Sequence, residues 1–349
     1  PLTLSEDGTP HAVDESELPV LLPEVEKYHP NEHGDPPLAN ADAEWLHVTD
    51  PETGEKRTRE TNTMPQWAGS CWYYLRYIDP HNADAGWDAE KEKYWMPVDL
   101  YVGGSEHAVL HLLYARFWHK VLFDLGHVST PEPFMKLVHQ GMILGEDNVK
   151  MSKSRGNVVN PDDVLALYGS DAFRVYEMFM GPIEEVKPWS TAGLKGTKRF
   201  LDRVWTMYTR PITDDAAPDA LRRKTHKTIR KVTDDIERMR FNTAISAMME
   251  LVNDAYKLPE FPREIAEPLC QLLAPMAPHL CEELWGILGH EPSVAMAPWP
   301  TFDESLCVDD MVTYPVQIKG KVRGQFQAPA DTSKEELEAM ALAVENVQR

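Results

Sequence analysis

Lys150-Met151-Ser152-Lys153-Ser154 puts two ammonium groups and two hydroxyls within five residues, a donor set suited to polyphosphate oxygens. Lysine is a compact, strongly hydrated cation on a flexible stem, so a loop-borne pair can follow charge that builds on phosphates during a displacement. The competing reading is a solvated basic turn, since charged side chains are mostly exposed anyway. A second cluster lies upstream, where Glu106, His107 and His111 follow Gly103-Gly104-Ser105. Three chemistries compete for it. His-x-x-x-His is half of a zinc site, but the metalloprotease order needs Glu directly after the first His, and here Glu106 precedes it. The histidines could instead be satisfied by hydrogen bonds in a core. Or Glu106 could answer a cationic amine or ribose hydroxyls while the imidazoles line a pocket. A third group is a basic stripe, Arg222, Arg223, Lys224, Lys227, Arg230 and Lys231, which fits either a polyanion or a solvated helix face.

The elements that must hold these groups are legible around them. Gly141 to Gly145 reads as a short apolar strand ending in a turn, and Arg155-Gly156-Asn157 keeps the Lys150–Ser154 segment a loop. Asn160-Pro161 then opens a helix as N-cap and first residue. That helix ends at Gly169, and Ser170-Asp171 caps a second one that stops at Gly181-Pro182. Upstream, Val98 to Val102 is an apolar strand, followed by a glycine turn and a helical pattern from Glu106 to Leu125 that puts His107 and His111 on one face. A strand, a glycine turn and a helix start aim free N–H groups at the edge of a parallel sheet, where α/β folds bind nucleotides and small acids. Aromatics crowd Trp67, Trp72, Tyr73, Tyr74 and Tyr77. Helical patterns at about 191–209, 219–238, 241–257 and 262–288 read as an antiparallel bundle with Met248 and Met249 as core filler. Tyr314 to Gln327 alternates like a strand, and Ser333 caps a last helix.

A chain of 349 residues is long enough for two or three domains. Its formal net charge of −21 argues against indiscriminate coating of nucleic acid. The charge is uneven, with 15 acidic and 4 basic residues in positions 1–60 but 13 basic and 7 acidic in 195–240, so a local basic element can still meet a polyanion. Four cysteines without a C-x-x-C pair read as a reducing cytosol and no structural zinc. No run of about 18 apolar residues or basic-then-apolar leader is present, which supports neither membrane spanning nor secretion. Pro1 at one end and a helical pattern interrupted at Arg349 make both ends look cut from something longer.

Several stretches together, namely Tyr101-Val-Gly-Gly-Ser-Glu-His-Ala-Val-Leu-His111-Leu-Leu-Tyr-Ala-Arg-Phe117, Gln140-Gly-Met142, Lys150–Ser154, Pro188-Trp189-Ser190, Ala277-Pro278-His279, Glu282-Glu283-Leu284-Trp285 and Gly320-Lys-Val-Arg-Gly324, resemble the bacterial-type leucyl-tRNA synthetase family, a class I aminoacyl-tRNA synthetase family. The Lys-Met-Ser-Lys-Ser string alone is similar to the mobile ATP loop of any class I synthetase, and the 101–117 and 320–324 stretches carry the leucine-type likeness.

The resemblance implies a multidomain protein, α/β plus all-α. Residues 1–60 would be a connector returning from an editing insertion, and 61–160 the second half of a Rossmann-like catalytic domain. Residues 161–190 would be stem-contact helices, 191–302 a helical anticodon-binding bundle, and 312–349 the start of a small α/β tRNA-binding C-terminal domain. It implies leucine–tRNA ligase chemistry with ATP, Mg²⁺ accompanying the ATP, and leucine and tRNA-Leu as partners in the cytoplasm. Lys150 and Lys153 would be catalytic, with Met151, Ser152, Ser154, Gly103 and Gly104 also meeting ATP. Ser70, Tyr73, Tyr101, Glu106, His107 and His111 would line the leucine pocket, Trp67 standing where the family often has Phe. Arg222, Arg223, Lys227, Lys321 and Arg323 would meet tRNA, and no metal site is implied. The family's His-x-Gly-His motif and threonine-rich editing pocket have no counterpart among these 349 residues, so the resemblance implies a fragment, inactive without an N-terminal half. The alternative is a tRNA-binding module without catalysis of its own.

Overall fold

The computed structural model describes residues 1–25, 29–30, 32–62, 67–291, 293–308, 311–318, 320–329 and 332–344, with only the backbone of Trp67, Ala68, Met311 and Val312. The role expected for the Trp67 side chain therefore lies outside the described residues. The chain divides into two compact units, 1–138 and 139–349.

The first unit begins with a small antiparallel sheet. Strands β1 (Leu2–Leu4), β2 (Pro10–Ala12), β3 (His47–Thr49) and β4 (Lys56–Arg59) lie in the order β2-β1-β4-β3. The described part of residues 1–60, whose Pro- and acid-rich sequence suggests an extended connector, thus carries a sheet of its own. Strand pairing buries Thr3, and Asp50 closes the β3–β4 turn by accepting from the Thr53 N–H at 2.8 Å and pairing with Arg57 at 2.5 Å. Short helices follow: α1 (Ala43–Leu46), set ahead of β3, then α2 (Trp67–Ser70), α3 (Tyr73–Arg76) and α4 (Ala89–Trp95). The Asp88 carboxylate accepts from the Glu90 and Lys91 N–H groups and caps α4. Strand β5 (Tyr101–Gly104) pairs with β6 (Leu137–Gln140).

The helix expected from Glu106 starts later. Residues Ser105–Ala108 form a 3₁₀ turn, and α5 runs only over His111–Asp124. Glu106 and His107 therefore sit on a tight turn rather than on the helix that carries His111. On α5 the buried residues are His111, Ala115 and His119, each four apart, a single narrow stripe. Tyr74, Leu75, Met96, Ala115 and Val128 make the small core against which it packs.

The second unit starts with β7 (Ile143–Leu144), which runs parallel to β8 (Lys187–Pro188). Gly141 leads in, and a Cβ there would come within 1.9 Å of the Glu185 carbonyl oxygen, so no other residue fits. Helix α6 (Pro161–Tyr168) opens as expected, the Asn160 side chain accepting from the Asp162 N–H, and ends at Gly169 with φ of 84°. Helix α7 (Ser170–Phe179) has Gly169 as N-cap and no side-chain cap, so the cap expected from Ser170-Asp171 does not form. Asp171 instead accepts from the Leu280 N–H at 2.6 Å, answering the start of another helix.

The bundle comprises α8 (Thr191–Tyr208), α9 (Asp219–Glu237), α10 (Phe241–Ala255), α11 (Arg263–Leu273) and α12 (Pro278–Ile287), with β9 (Ile212–Thr213) and β10 (Phe261–Pro262) pairing between the connecting segments. The single helix expected over 262–288 is two. Pro275 and Pro278 remove amide donors and crowd the preceding residues, which breaks the run at Ala274–Ala277. Val204, Ile229, Ile245, Met248, Leu251 and Leu269 belong to one continuous core. Helix α13 (Glu304–Cys307) leads to the hairpin β11 (Met311–Ile318) and β12 (Lys321–Pro329), in which Tyr314 stacks on its cross-strand partner Phe326. Helix α14 (Lys334–Leu342) carries the expected Ser333 cap, as a reciprocal box with Glu336.

Candidate functional site

The Lys150–Ser154 segment grows out of a hairpin turn. The Gly145 N–H donates to the Val149 carbonyl at 2.9 Å, and Leu144 bridges Lys150. Asn148 takes φ of 60°, which asparagine tolerates better than most residues. Asn157 then ties the loop shut. Its side-chain oxygen accepts from the Ser152 N–H at 2.9 Å, and its amide donates to both Asp147 oxygens at 3.2 Å. The Val149 N–H and the Asn157 amide hold the Asp147 carboxyl below its ordinary range. Lys153–Arg155 make one 3₁₀ turn closed by Gly156. Met151 points into an apolar cluster of Val164, Tyr176, Trp189 and Leu194, while Lys153 and Ser154 stay exposed. The loop thus has an anchored thioether and exposed polar heads, the Ser152 and Ser154 hydroxyls sharing a hydrogen bond at 3.2 Å. Among the described residues, no ion pair of Lys150 or Lys153 with a carboxylate forms.

In the first unit the structure brings together Ser70, Tyr73, Tyr101 and His111. The Tyr101 hydroxyl donates to His111 Nδ1 at 2.8 Å, and His111 Nε2 donates to the Ser70 carbonyl at 2.7 Å. A carbonyl can only accept, so Nε2 carries a proton, and both ring nitrogens are in use. Tyr73 lies 5.6 Å from His111 and edge-on to Tyr77 at 5.3 Å. Burial pushes the Tyr101 hydroxyl up, so it stays a donor. Glu106 remains exposed, its carboxyl folded over Gly104, where a methyl group would meet Oε2 at 2.4 Å. His107 Nδ1 is buried without a hydrogen-bond partner among the described residues, the kind of atom a ligand would satisfy. A cavity of about 560 Å³ opens beside this group, lined by Tyr74, Tyr77, Trp95, Met96, Asp99 and Leu100 rather than by the six residues expected for a pocket.

A twin relay escaped the sequence reading. Two turns along α5, His119 Nδ1 accepts from Tyr74 at 2.9 Å and Nε2 donates to the Thr130 carbonyl at 2.8 Å. His119 is fully buried, and burial pushes its basicity down. The spacing of eight between His111 and His119 was the available signal.

Much of the basic stripe is paired within the chain, including two of the five expected tRNA contacts. Arg222 meets Glu264 at 3.2 Å, and Arg223 donates to the Val308 carbonyl at 3.3 Å. Lys224 meets Asp254, Arg230 meets Glu304 and Lys231 meets Asp235. Lys227 lines a cavity of about 630 Å³ with these cations. Lys321 and Arg323 are exposed on β12, and Arg323 is the extra residue of a bulge, since Gly324 pairs with Val316 and Val322 with Gln317.

Residues 43–187 match the family of class I tRNA synthetases for I, L, M and V, and residues 219–339 match the anticodon-binding domain of tRNA ligase. Among solved structures, the agnB2 LeuRS of Agrobacterium radiobacter K84, in ternary complex with tRNA and LeuAMS, is 34% identical with a TM-score of 0.80. That match covers 100% of this chain and 47% of the LeuRS, so the chain spans about half the length of that relative. A Mycobacterium tuberculosis methionyl-tRNA synthetase, in complex with methionyl-adenylate, is 18% identical over 71% of this chain and 54% of that one, with a TM-score of 0.50, a likeness of fold alone.

Proposed function

The chain belongs to the class I aminoacyl-tRNA synthetases, as a portion of the catalytic domain joined to a helical anticodon-binding domain, and on that premise we propose that it serves leucine–tRNA ligation. The observation that carries the leucine reading is the 34% identity with a LeuRS over the entire chain. Leucine's carboxylate would attack the α-phosphate of ATP to give leucyl-adenylate and pyrophosphate, and a terminal ribose hydroxyl of tRNA-Leu would then take the leucyl group. Both reactants bring their own nucleophile, so the protein's task is to position them and neutralise charge.

Lys150 and Lys153 would meet phosphate oxygens, with Ser152 and Ser154 as donors and Met151 as the anchor. Gly103 and Gly104 would let the nucleotide approach the backbone. The loop's donors suit phosphate oxygens and not a metal cage, so Mg²⁺ would be held by ATP and water. Ser70, Tyr73, Tyr101 and His111 would form a rigid wall for the amino acid, leaving Glu106 and His107 Nδ1, which has no partner among the described residues, to meet polar substrate groups. Lys227, Lys321 and Arg323, with Arg222 and Arg223, are the proposed tRNA contacts. Domain limits of 1–60, 61–160, 161–190, 191–302 and 312–349 fit this reading, as does a cytoplasmic setting.

An N-terminal half from elsewhere in the polypeptide or from a second chain would complete the enzyme. The test is leucine-dependent ATP–pyrophosphate exchange with and without such a half. Exchange with isoleucine or methionine but not leucine sinks the assignment. Lys153→Ala should lower exchange about a hundredfold or more, since removing one preorganised charge partner costs about 2.7–4 kcal/mol. The match of residues 219–339 to the anticodon-binding domain of tRNA ligase also supports a second reading, a tRNA-binding module without chemistry. That module would bind tRNA with steep salt dependence and no preference for tRNA-Leu.

A further inference from the structure

The hairpin that launches the Lys150–Ser154 loop carries two acids with different tasks. Asp147 turns inward and holds Asn157, as above. Glu146 turns outward, and its Oε1 accepts from the backbone N–H of Thr191 at 3.0 Å. Thr191 is the first residue of α8, and its own N-cap, Ser190, answers only the Gly193 N–H. The first turn of an eighteen-residue helix is therefore capped partly by its own chain and partly by the loop's hairpin. A carboxylate there also meets the positive end of the helix dipole. The Thr191 hydroxyl and N–H hold the Glu146 carboxyl below its ordinary range, consistent with this contact.

Two further attachments run between the same elements. The Trp189 N–H donates to the Leu144 carbonyl at 2.9 Å, and Met151 packs in the cluster that contains Trp189 and Leu194 of α8. These two are main-chain and apolar contacts. Glu146 alone is a surface side chain that can be changed without opening a void. Helix α8 in turn exposes Lys195 and Arg199 one turn apart, a place where an RNA backbone can pull on it.

We propose that Glu146 is a positioning residue that sets the resting place of the Lys150–Ser154 loop against the first turn of α8, so that RNA bound on the helical bundle is reported to the loop. The coupling rests on the synthetase reading above and adds to it the residue through which the two parts communicate. By linkage, the share of the coupling carried by Glu146 is only as large as this contact's free-energy difference between the two states.

The test is hydrogen exchange on the full chain, read by mass spectrometry over peptides covering 145–158 and 188–196, without and with an unfractionated tRNA pool. In the wild type, tRNA should change exchange in both peptides severalfold. Glu146→Ala should keep the tRNA Kd within about twofold while the response of the 145–158 peptide falls severalfold, the main-chain and apolar attachments keeping the remainder. Glu146→Gln should retain the response, because its amide oxygen still accepts from Thr191. A merely structural role would raise exchange in the free Glu146→Ala chain but leave the tRNA response intact. If tRNA binds and the loop peptide does not respond, or responds equally in Glu146→Ala, the coupling is wrong and the synthetase reading stands. If tRNA fails to bind the wild-type chain, the reading falls and the coupling with it.

Discussion

The helical bundle and helix α5 treat the same kind of residue in opposite ways. In the bundle, Ile245, Met248, Leu251, Ile265 and Leu269 are wholly buried in one core shared by successive helices. Along α5, Leu113, Phe117 and Val121 recur at every fourth residue and remain 59%, 65% and 39% exposed. Single exposed apolar residues need no explanation, but a row on one helix marks a surface that something else covers. The bundle closes its own hydrophobic account within the chain. The catalytic portion keeps its internal order through polar relays and a small core, and offers apolar surface outward. This asymmetry leaves the outer face of α5 as open apolar surface, while the bundle has none comparable in its core.

The comparison predicts a ranked series of effects. Leu269→Ala removes a fully buried side chain from the bundle core and should cost about 2–5 kcal/mol, read from the urea midpoint. A loss below about 1 kcal/mol would mean that the bundle is not the tightly packed partner in the comparison. His119→Ala should cost about 1–3 kcal/mol, because it leaves the buried Tyr74 hydroxyl without its acceptor. Hydrogen exchange confined to the first unit should report that loss, and exchange changes spread equally through the bundle would blur the distinction.

Ion pairs should contribute little in either unit. Arg116, then Lys120, holds Glu132 down to about 2, and Lys224, then Lys257, holds Asp254 to about 2. Both carboxyls are depressed in the folded state, so their contribution is present above the unfolded value of about 4 and is lost as pH falls towards 2. Glu132 and Asp254 keep side-chain exposures of 45% and 42%, so solvent screening limits each to about 0.2–1 kcal/mol. Glu132→Gln and Asp254→Asn should therefore melt slightly below wild type at pH 7, and the gap should close on acidification. A gap that widens at low pH reverses the sign argued here. Smallest of all, Phe117→Ser should change stability by less than about 0.5 kcal/mol while lowering binding of a hydrophobic dye. A cost like that of Leu269→Ala would mean that the α5 face is packed within the chain after all.

Much of the architecture was legible in residue order. The α6 cap at Asn160-Pro161, the stop at Gly169 and the Ser333 cap are local signals, set by which backbone N–H a neighbouring oxygen can reach. Residue order places the start of α5 too early, because periodicity does not separate a 3₁₀ turn from the first turn of a helix. The run over 262–288 reads as one helix because its apolar spacing continues across Pro275 and Pro278. Ser170-Asp171 reads as a local cap, but Asp171 meets Leu280, more than a hundred residues away, and no local rule reaches that far.

For the candidate site, the sequence by itself determined the chemical inventory: the lysines and hydroxyls of the loop, the glycines beside Glu106, and histidines at 107 and 111. Those choices are local, because side-chain chemistry travels with the residue. Only the tertiary structure decided that His111 spends both nitrogens on Tyr101 and Ser70, that His119 repeats the device, and that Glu146 caps a helix forty-five residues downstream. A hydrogen bond depends on atoms meeting within about 3 Å, and chain separation says nothing about which distant atoms folding will bring that close.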